Sequence, residues 1–403
     1  MNKLNVFSEI GPLKTVLLHE PGEELENLTP TILSDLLFDD IPWLPLAIEE
    51  HRSFAQVLRE NGVEVVYLTD LVTESLDTNP RVKNEFIKEF IREANIASET
   101  LSFYTEEYLK SFTNTKEMVK KTMSGIRKDE IPNFSKRTLS DYISEYPFVT
   151  DPMPNLYFTR DPFAIIGNGV SLNKMKTTTR SRETIYGKYI FKYHPIYKTN
   201  NLFYNRDYKT SIEGGDIIVL NSKIICVGIS ERTHPSSIEK LAKNIFEKST
   251  FEIVLAFDLP KRRSFMHLDT VFTQVDYNKF TVHSHCSNNF KVFELTKNKT
   301  EENKLIVREI NDTISNILSN YLGNDVVLIK CGGEDSISSD REQWSDGANT
   351  LAIAPGKVIV YNRNHITNKI LKENNVDVIT IPSSELSRGR GGPRCMCMPL
   401  YRK

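Results

Sequence analysis

One layout recurs along this chain, and a recurring layout narrows the available folds more than composition does. A segment with apolar residues three and four apart ends near asparagine, glycine or a charge, and a short β-branched strand follows. The copies are Leu46–Asn61 then Val63–Leu68, Ile238–Lys248 then Phe251–Ala256, Leu305–Leu322 then Val326–Ile329, and Ile366–Glu373 then Val376–Ile381. Hairpin-like runs lie between them: Phe163–Ile166 with Val170–Leu172, Asp216–Leu220 with Ile224–Gly228, and Leu351–Ala354 with Val358–Tyr361. A weaker copy falls within 155–203. The unit is a strand pair, a helix and another strand. Helix–strand alternation alone suggests a doubly wound sheet. Repetition favours modules arranged around a centre.

Residues 75–147 break the pattern. Val82, Phe86, Ile87, Phe90, Ile91 and Ala94 form one amphipathic stripe, and Met118, Val119, Met123 and Ile126 form another. The segment reads as a helical insertion, and Pro147, Pro152 and Pro154 mark the return to the repeating body. Lysine and arginine total 51 against 53 acidic residues, so broad electrostatics gives no case for nucleic acid or an anionic membrane. No apolar run approaches the roughly 18 residues of a membrane span, and the first residues lack the apolar stretch of a secretory signal. A cytoplasmic enzyme is the expected class.

Chemistry concentrates near the end, where Arg388–Cys397 reads RGRGGPRCMC. A cysteine in a basic, glycine-rich loop is expected to be exposed, with guanidinium groups and free N–H groups favouring its thiolate. That singles out Cys395. Cys226 reads as a core residue and Cys331 as a packing or turn residue, and five scattered cysteines make no disulfide framework. Cys397 could pair with Cys395, but so short a ring is unfavourable. His283, His285 and Cys286 form a metal-like cluster without the separated ligand pairs of structural zinc, so a structural role is expected.

Three acidic signatures lie upstream. Met266–Asp269 reads MHLD; on a strand, His267 and Asp269 share a face and could combine proton transfer with cation binding, although a purely structural pair is as common. Glu213–Asp216 reads EGGD at the mouth of an apolar strand, where Glu213 is either an acid–base group or part of a turn. Asp161 precedes Pro162 at the head of a strand, as a turn carboxylate or a site residue.

Together with Asn155–Asp161 (NLYFTRD), Ser230–Thr233 (SERT), Leu13–His19 (LKTVLLH) and Leu36–Asp40 (LLFDD), these motifs resemble, in order and over nearly the whole chain, the arginine deiminases, the mycoplasma-type bacterial enzymes above all. The resemblance implies a five-bladed pseudo-symmetric α/β propeller of ββαβ modules with an inserted all-helical domain: residues 1–74 and 148–403 for the propeller, 75–147 for the insertion. It implies hydrolysis of L-arginine to L-citrulline and ammonia, with no metal or organic cofactor. Cys395 would attack the guanidinium carbon, His267 would shuttle protons, and Asp161, Asp269 and Glu213 would hold the guanidinium. Arg180 and Arg232, with Asn155, would hold the substrate carboxylate. Leu37 and Gly389 would contact the amino-acid end, and Arg390 would ride a mobile closing loop. A homodimer is the family expectation.

Paired carboxylates suit a guanidinium, a planar fork of N–H donors. Three acids beside a cysteine oppose its thiolate unless the substrate brings a cation. Amidinotransferases, dimethylarginine hydrolases and agmatine deiminases share this framework, as would an inactive arginine sensor. The Arg180 and Arg232 pair favours a substrate with a free carboxylate, which agmatine lacks.

Overall fold

The computed structural model describes residues 3–132, 134–136, 138–143, 145–283, 291–301 and 304–403. Five sheets share one construction: an antiparallel strand pair extended by a third, parallel strand. A parallel partner needs a crossover, and a helix supplies it each time. Phe163–Ile166 and Gly169–Leu172 lead through helix Thr184–Tyr193 to Leu202–Tyr204. Ile217–Val219 and Ile224–Ile229 lead through Pro235–Lys248 to Ile253–Asp258. Phe272–Asp276 and Lys279–His283 lead through Ile314–Leu322 to Val327–Cys331, and Leu351–Ala354 and Lys357–Tyr361 through His365–Glu373 to Asp377–Ile381. The fifth sheet joins both ends of the chain: Leu13–Leu18 pairs antiparallel with Met398–Arg402, then leads through Leu44–Glu60 to Glu64–Tyr67. That closure seats the cysteine loop, which lies just before Met398, against the first module.

One expected helix is half strand. Leu305–Ile310 is an edge strand, paired antiparallel with Lys291–Lys297 from Val292↔Ile310 to Lys297↔Leu305. The helix starts only at Ile314, after Thr313 accepts the Asn316 N–H. On an outer edge most of these side chains face solvent, so their apolar spacing carried little information about the backbone.

Between the first and second modules run helices Leu68–Leu76, Pro80–Glu93, Glu99–Lys110 and Thr115–Ser124. Asn79, Ser98 and Asn114 cap three of them. A short helix Leu139–Ile143 follows, and strand Ile126–Arg127 pairs with Phe148–Thr150. The amphipathic stripes are buried except for Ala94, which is partly exposed at the end of its helix. Phe86 packs on Tyr186 and Tyr189, with ring centroids 6.0 and 5.2 Å apart, and Glu89 accepts from Tyr189 at 3.0 Å. These helices therefore share a core with the module that carries Asn155 and Asp161. No helix among the described residues is long and apolar enough to cross a membrane.

A buried glutamate braces the end of the chain. Glu50, on helix Leu44–Glu60, accepts from the backbone N–H groups of Ser384, Glu385 and Leu386 at 2.6 to 3.0 Å. This bond anchors the segment that leads into Arg388–Cys397.

Candidate active site

Cys395 lies in a tight turn ahead of strand Met398–Arg402, with Met396 N–H bonded to Gly392 O at 3.2 Å. Two other modules pin it. Arg160 N–H donates to Cys395 O at 3.1 Å, and Asn349 Oδ1 accepts the Cys395 N–H at 3.0 Å. Its sulfur lies 3.1 Å from Asn349 Nδ2 and 3.5 Å from Asp269 Oδ2.

His267 does not lie on a strand. It is the extended residue before a 3-10 turn, Leu268–Thr270. Asp216 builds that turn by accepting Leu268 N–H at 2.8 Å, and it also takes Ser230 and Thr233 hydroxyls at 2.6 Å each. Asp216 therefore ties the EGGD, SERT and MHLD segments together, and its place in the sequence motif reflects scaffolding. Gly215 is required here, because an added Cβ would stand 2.7 Å from the His267 ring. His267 Nε2 meets Glu213 Oε2 at 2.7 Å, and Nδ1 lies 3.8 Å from Asp161 Oδ1. Burial opposes the imidazolium, but Asp161, the Glu213 bond and Asp216 outweigh it and raise the His267 pKa to about 9. Burial would raise Glu213, yet His267, Arg232 and Arg180 hold it well below the usual carboxylate range.

The two aspartates expected to grip a guanidinium each already hold one. Arg180 Nη1 donates to Asp161 Oδ2 at 2.7 Å, and the same arginine bonds Glu183 through Nε and Nη2 at 2.8 to 3.0 Å. Arg394 Nη1 donates to Asp269 Oδ2 at 2.7 Å, while its other nitrogens reach Glu9 and the Ile217 carbonyl. Each aspartate leaves Oδ1 buried without a hydrogen-bond partner. Asp161 lines a cavity, so its Oδ1 is an acceptor open to an N–H donor there, while Asp269 sits against the Cys395 sulfur.

Cys395, His267, Asp161, Asn155, Arg180, Arg232, Leu37, Gly389 and Arg390 all line that cavity. Glu213 and Asp269 reach it through His267 and Cys395. The space left is about 20 Å³, room for about one water. Arg180 is buried, so it is no solvated charge. Asn155 Nδ2 donates to Leu36 O at 2.8 Å, and Arg232 Nη1 lies 4.0 Å from Glu213. Leu37 and Arg390 both take positive φ, 64° and 63°. The Arg390 guanidinium rests 3.4 Å above the centroid of the Trp344 ring. A Cβ on Gly389 would fall 1.9 Å from Tyr157 Oη, so only glycine lets this loop close down.

The thiol departs from expectation. Cys395 is 5% exposed rather than open, and its basic neighbour Arg394 is committed to Glu9 and Asp269. Burial first, then Asp269, Asp161 and Asp346, push its pKa far above the ordinary thiol value. In this arrangement the sulfur carries its proton. Cys397 is fully buried with Sγ 3.6 Å from Arg394 O, and neither cysteine is in a disulfide. Cys226 and Cys331 are buried as read, and Thr367 Oγ1 donates to Cys331 Sγ at 3.4 Å. His283 bonds Ser339 Oγ through Nδ1 at 3.2 Å, while His285 and Cys286 lie outside the described residues. Among the described residues no group of three His, Cys, Asp or Glu is placed to hold a metal.

Sequence reasoning passed over Glu9, Glu183, Trp344, Asp346 and Asn349. Trp344, Asp346 and Asn349 cluster around Gly347, a turn signal that the sequence reading did not take up, while Glu9 and Glu183 join the others only in space.

The description Arginine deiminase belongs to the family whose sequence pattern matches residues 34–402. An arginine deiminase from Clostridium perfringens is 56% identical, covering 99% of this chain and 98% of that protein. One from Borrelia duttonii is 52% identical, covering 100% and 99%. Among solved structures, an amidinotransferase from Microseira wollei in saxitoxin biosynthesis superposes with a TM-score of 0.55 at 15% identity, covering 100% and 98% of the two chains. A mutant of DDAH from Pseudomonas aeruginosa complexed with citrulline gives 0.52 at 13%, covering 96% and 98%. At these identities the structural likeness is one of fold. The full-length sequence matches and the family pattern agree: the chain belongs to the arginine deiminase family.

Proposed function

We propose that this protein hydrolyses L-arginine to L-citrulline and ammonia through a covalent intermediate on Cys395. Membership of the arginine deiminase family makes it a hydrolase acting on the C–N bond of a linear amidine. One observation carries the finer reading. The buried thiol of Cys395, His267 and Asp161 line one cavity from separate modules, with Glu213 bonded to His267, Asp269 beside the sulfur, and an unpartnered Oδ1 on each aspartate.

Substrate guanidinium enters between Asp161 and Asp269 and takes the vacant oxygens. Arg180 leaves Asp161 and turns outward to the substrate α-carboxylate, joined by Arg232 and Asn155. One guanidinium replaces another, so Asp161 is never left as an unpaired buried charge. Leu37, Gly389 and Arg390 close on the amino-acid end. The incoming cation offsets the three acids around the sulfur, and the thiol proton passes to solvent. The thiolate adds to the guanidinium carbon. Imidazolium of His267 protonates one amino group, which leaves as ammonia and gives an amidino-thioether. Neutral His267 then takes a proton from water as its oxygen adds to the same carbon. Collapse expels the sulfur, which is reprotonated to the thiol as the added oxygen loses its remaining proton and becomes the citrulline carbonyl. Glu213 holds His267 oriented through both steps and favours its imidazolium form before the first and after the second.

The reading extends to the assembly: a five-bladed propeller from residues 1–74 and 148–403, a helical insertion at 75–147, and a cytoplasmic homodimer without metal or organic cofactor. The five like-built sheets support the propeller. The test is citrulline release from L-arginine and water by purified protein, with Cys395→Ala alongside. Turnover only when an acceptor amine is added would instead indicate amidino transfer, and full activity in Cys395→Ala would remove the nucleophile assignment.

A further inference from the structure

Asn349 occupies the turn between helix Ser336–Trp344 and strand Leu351–Ala354, and it is fully buried. Its single amide group makes three contacts around the sulfur. Oδ1 accepts Cys395 N–H at 3.0 Å; Nδ2 lies 3.1 Å from the Asp269 carbonyl and 3.1 Å from Cys395 Sγ. The partners fix which end is which, since a backbone N–H can only donate and a backbone carbonyl can only accept. The NH2 end therefore faces the sulfur.

The surroundings hold that amide still. Asn349 N–H bonds Asp346 O at 3.0 Å, and the neighbouring Ala348 carbonyl takes the hydroxyls of Thr273 at 2.7 Å and Thr281 at 3.0 Å. Gly392 makes the approach possible, since a Cβ there would sit 2.7 Å from both Cβ and Oδ1 of Asn349. Asp346 takes φ 59°, a left-handed conformation unusual for a non-glycine, and this bends the turn inward.

We propose that Asn349 is a positioning residue for the reaction: its amide aims Cys395 Sγ alongside Asp269 and donates an N–H to the sulfur, a bond that strengthens when the sulfur becomes a thiolate. This neutral donor touches a sulfur that Asp269, Asp161 and Asp346 act on with their negative charge. A hydrogen bond to a charged group is stronger than one to a neutral group, so the contact favours thiolate over thiol.

The inference rests on Cys395 acting as nucleophile. The experiment compares wild type, Asn349→Ala, Asn349→Asp and Cys395→Ala for citrulline release across pH, with circular dichroism to verify folding. The acid limb of kcat reports thiol ionisation in the substrate complex. In Asn349→Ala we expect kcat to fall on the order of 10- to 100-fold with KM nearly unchanged, and the acid limb to move up by about one pH unit. Asn349→Asp keeps the shape and the Oδ1 contact but turns an acceptor toward the sulfur, so it remains informative if the alanine variant is unstable. Its acid limb should move up further. An acid limb matching wild type in a folded variant overturns the inference even if kcat falls. Retained turnover in Cys395→Ala instead overturns the nucleophile reading, whatever Asn349 does.

Discussion

Arg180 donates from Nη1 to Oδ2 of Asp161 at 2.7 Å, with both side chains buried. The protein thus places its own guanidinium against a carboxylate that the proposed reaction offers to the substrate. Substrate binding becomes an exchange of cations at a buried acid, with little change in the number of ion pairs.

That exchange gives Arg180 a measurable signature. Arg180→Ala removes the proposed partner of the α-carboxylate, a charge contact whose loss costs about 2–5 kcal/mol. KM for L-arginine should rise on the order of 100-fold, with kcat within about tenfold of wild type. Steady-state citrulline formation checks this. A loss confined to kcat would place Arg180 on the reacting group instead.

Arg394 is a structural cation as well as a neighbour of the nucleophile. It is fully buried, and its loss leaves Asp269 without its ion-pair partner and Glu9 with Arg160 at 4.0 Å. Burial opposes the Glu9 charge, but Arg394 and Arg160 outweigh it and hold its pKa at about 2. Arg394→Ala should lower the unfolding free energy by about 3–5 kcal/mol. Urea unfolding measures it, and a loss under about 1 kcal/mol would contradict the pairing.

His267 predicts a pH dependence of stability. Its pKa in the folded chain is raised from 6.5 to about 9. The folded state therefore binds a proton more tightly than the unfolded one. The stabilisation is fully present below about pH 6.5 and is lost as pH rises through about 9, and its size is on the order of 3 kcal/mol. The urea midpoint of wild type should fall across that window relative to His267→Asn. Parallel profiles would show that the imidazolium is not held as the geometry implies.

Trp344 should act through Arg390. The indole is half exposed, and the guanidinium lies 3.4 Å over its ring. Such a contact is worth about 0.5–2 kcal/mol, or roughly a 2- to 30-fold effect. Trp344→Ala should shift KM by that factor through a looser closing loop, with kcat held. A stopped-flow measurement of substrate binding separates the two. An unchanged KM would leave the stacking without a role in closure.

Much of this architecture can be read from residue order. The strand pair, helix and strand units around Asp216–Ala256 and Leu351–Ile381 follow from apolar spacing and turn residues within short windows. The segment Leu305–Ile310 escaped for a physical reason. An outer edge strand takes its identity from the neighbour it pairs with, and that neighbour, Lys291–Lys297, supplies no signal inside the segment itself. His267 escaped in part as well: the alternation in MHLD suggested a strand, whereas Asp216 folds the segment into a turn.

Order along the chain singled out Cys395 by its basic, glycine-rich loop, whereas His267, Glu213, Asp161 and Asp269 stayed ambiguous one by one and were named only through the resemblance that the motifs carry together. Folding decided their electrical state. A thiol surrounded by basic residues in sequence ends buried among acids in space, because Arg394 turns to Glu9 and Asp269. Asn349 and Glu9 join the site only through contacts between distant modules. Charge and hydrogen bonding depend on distance and burial, which arise only when the five sheets come together.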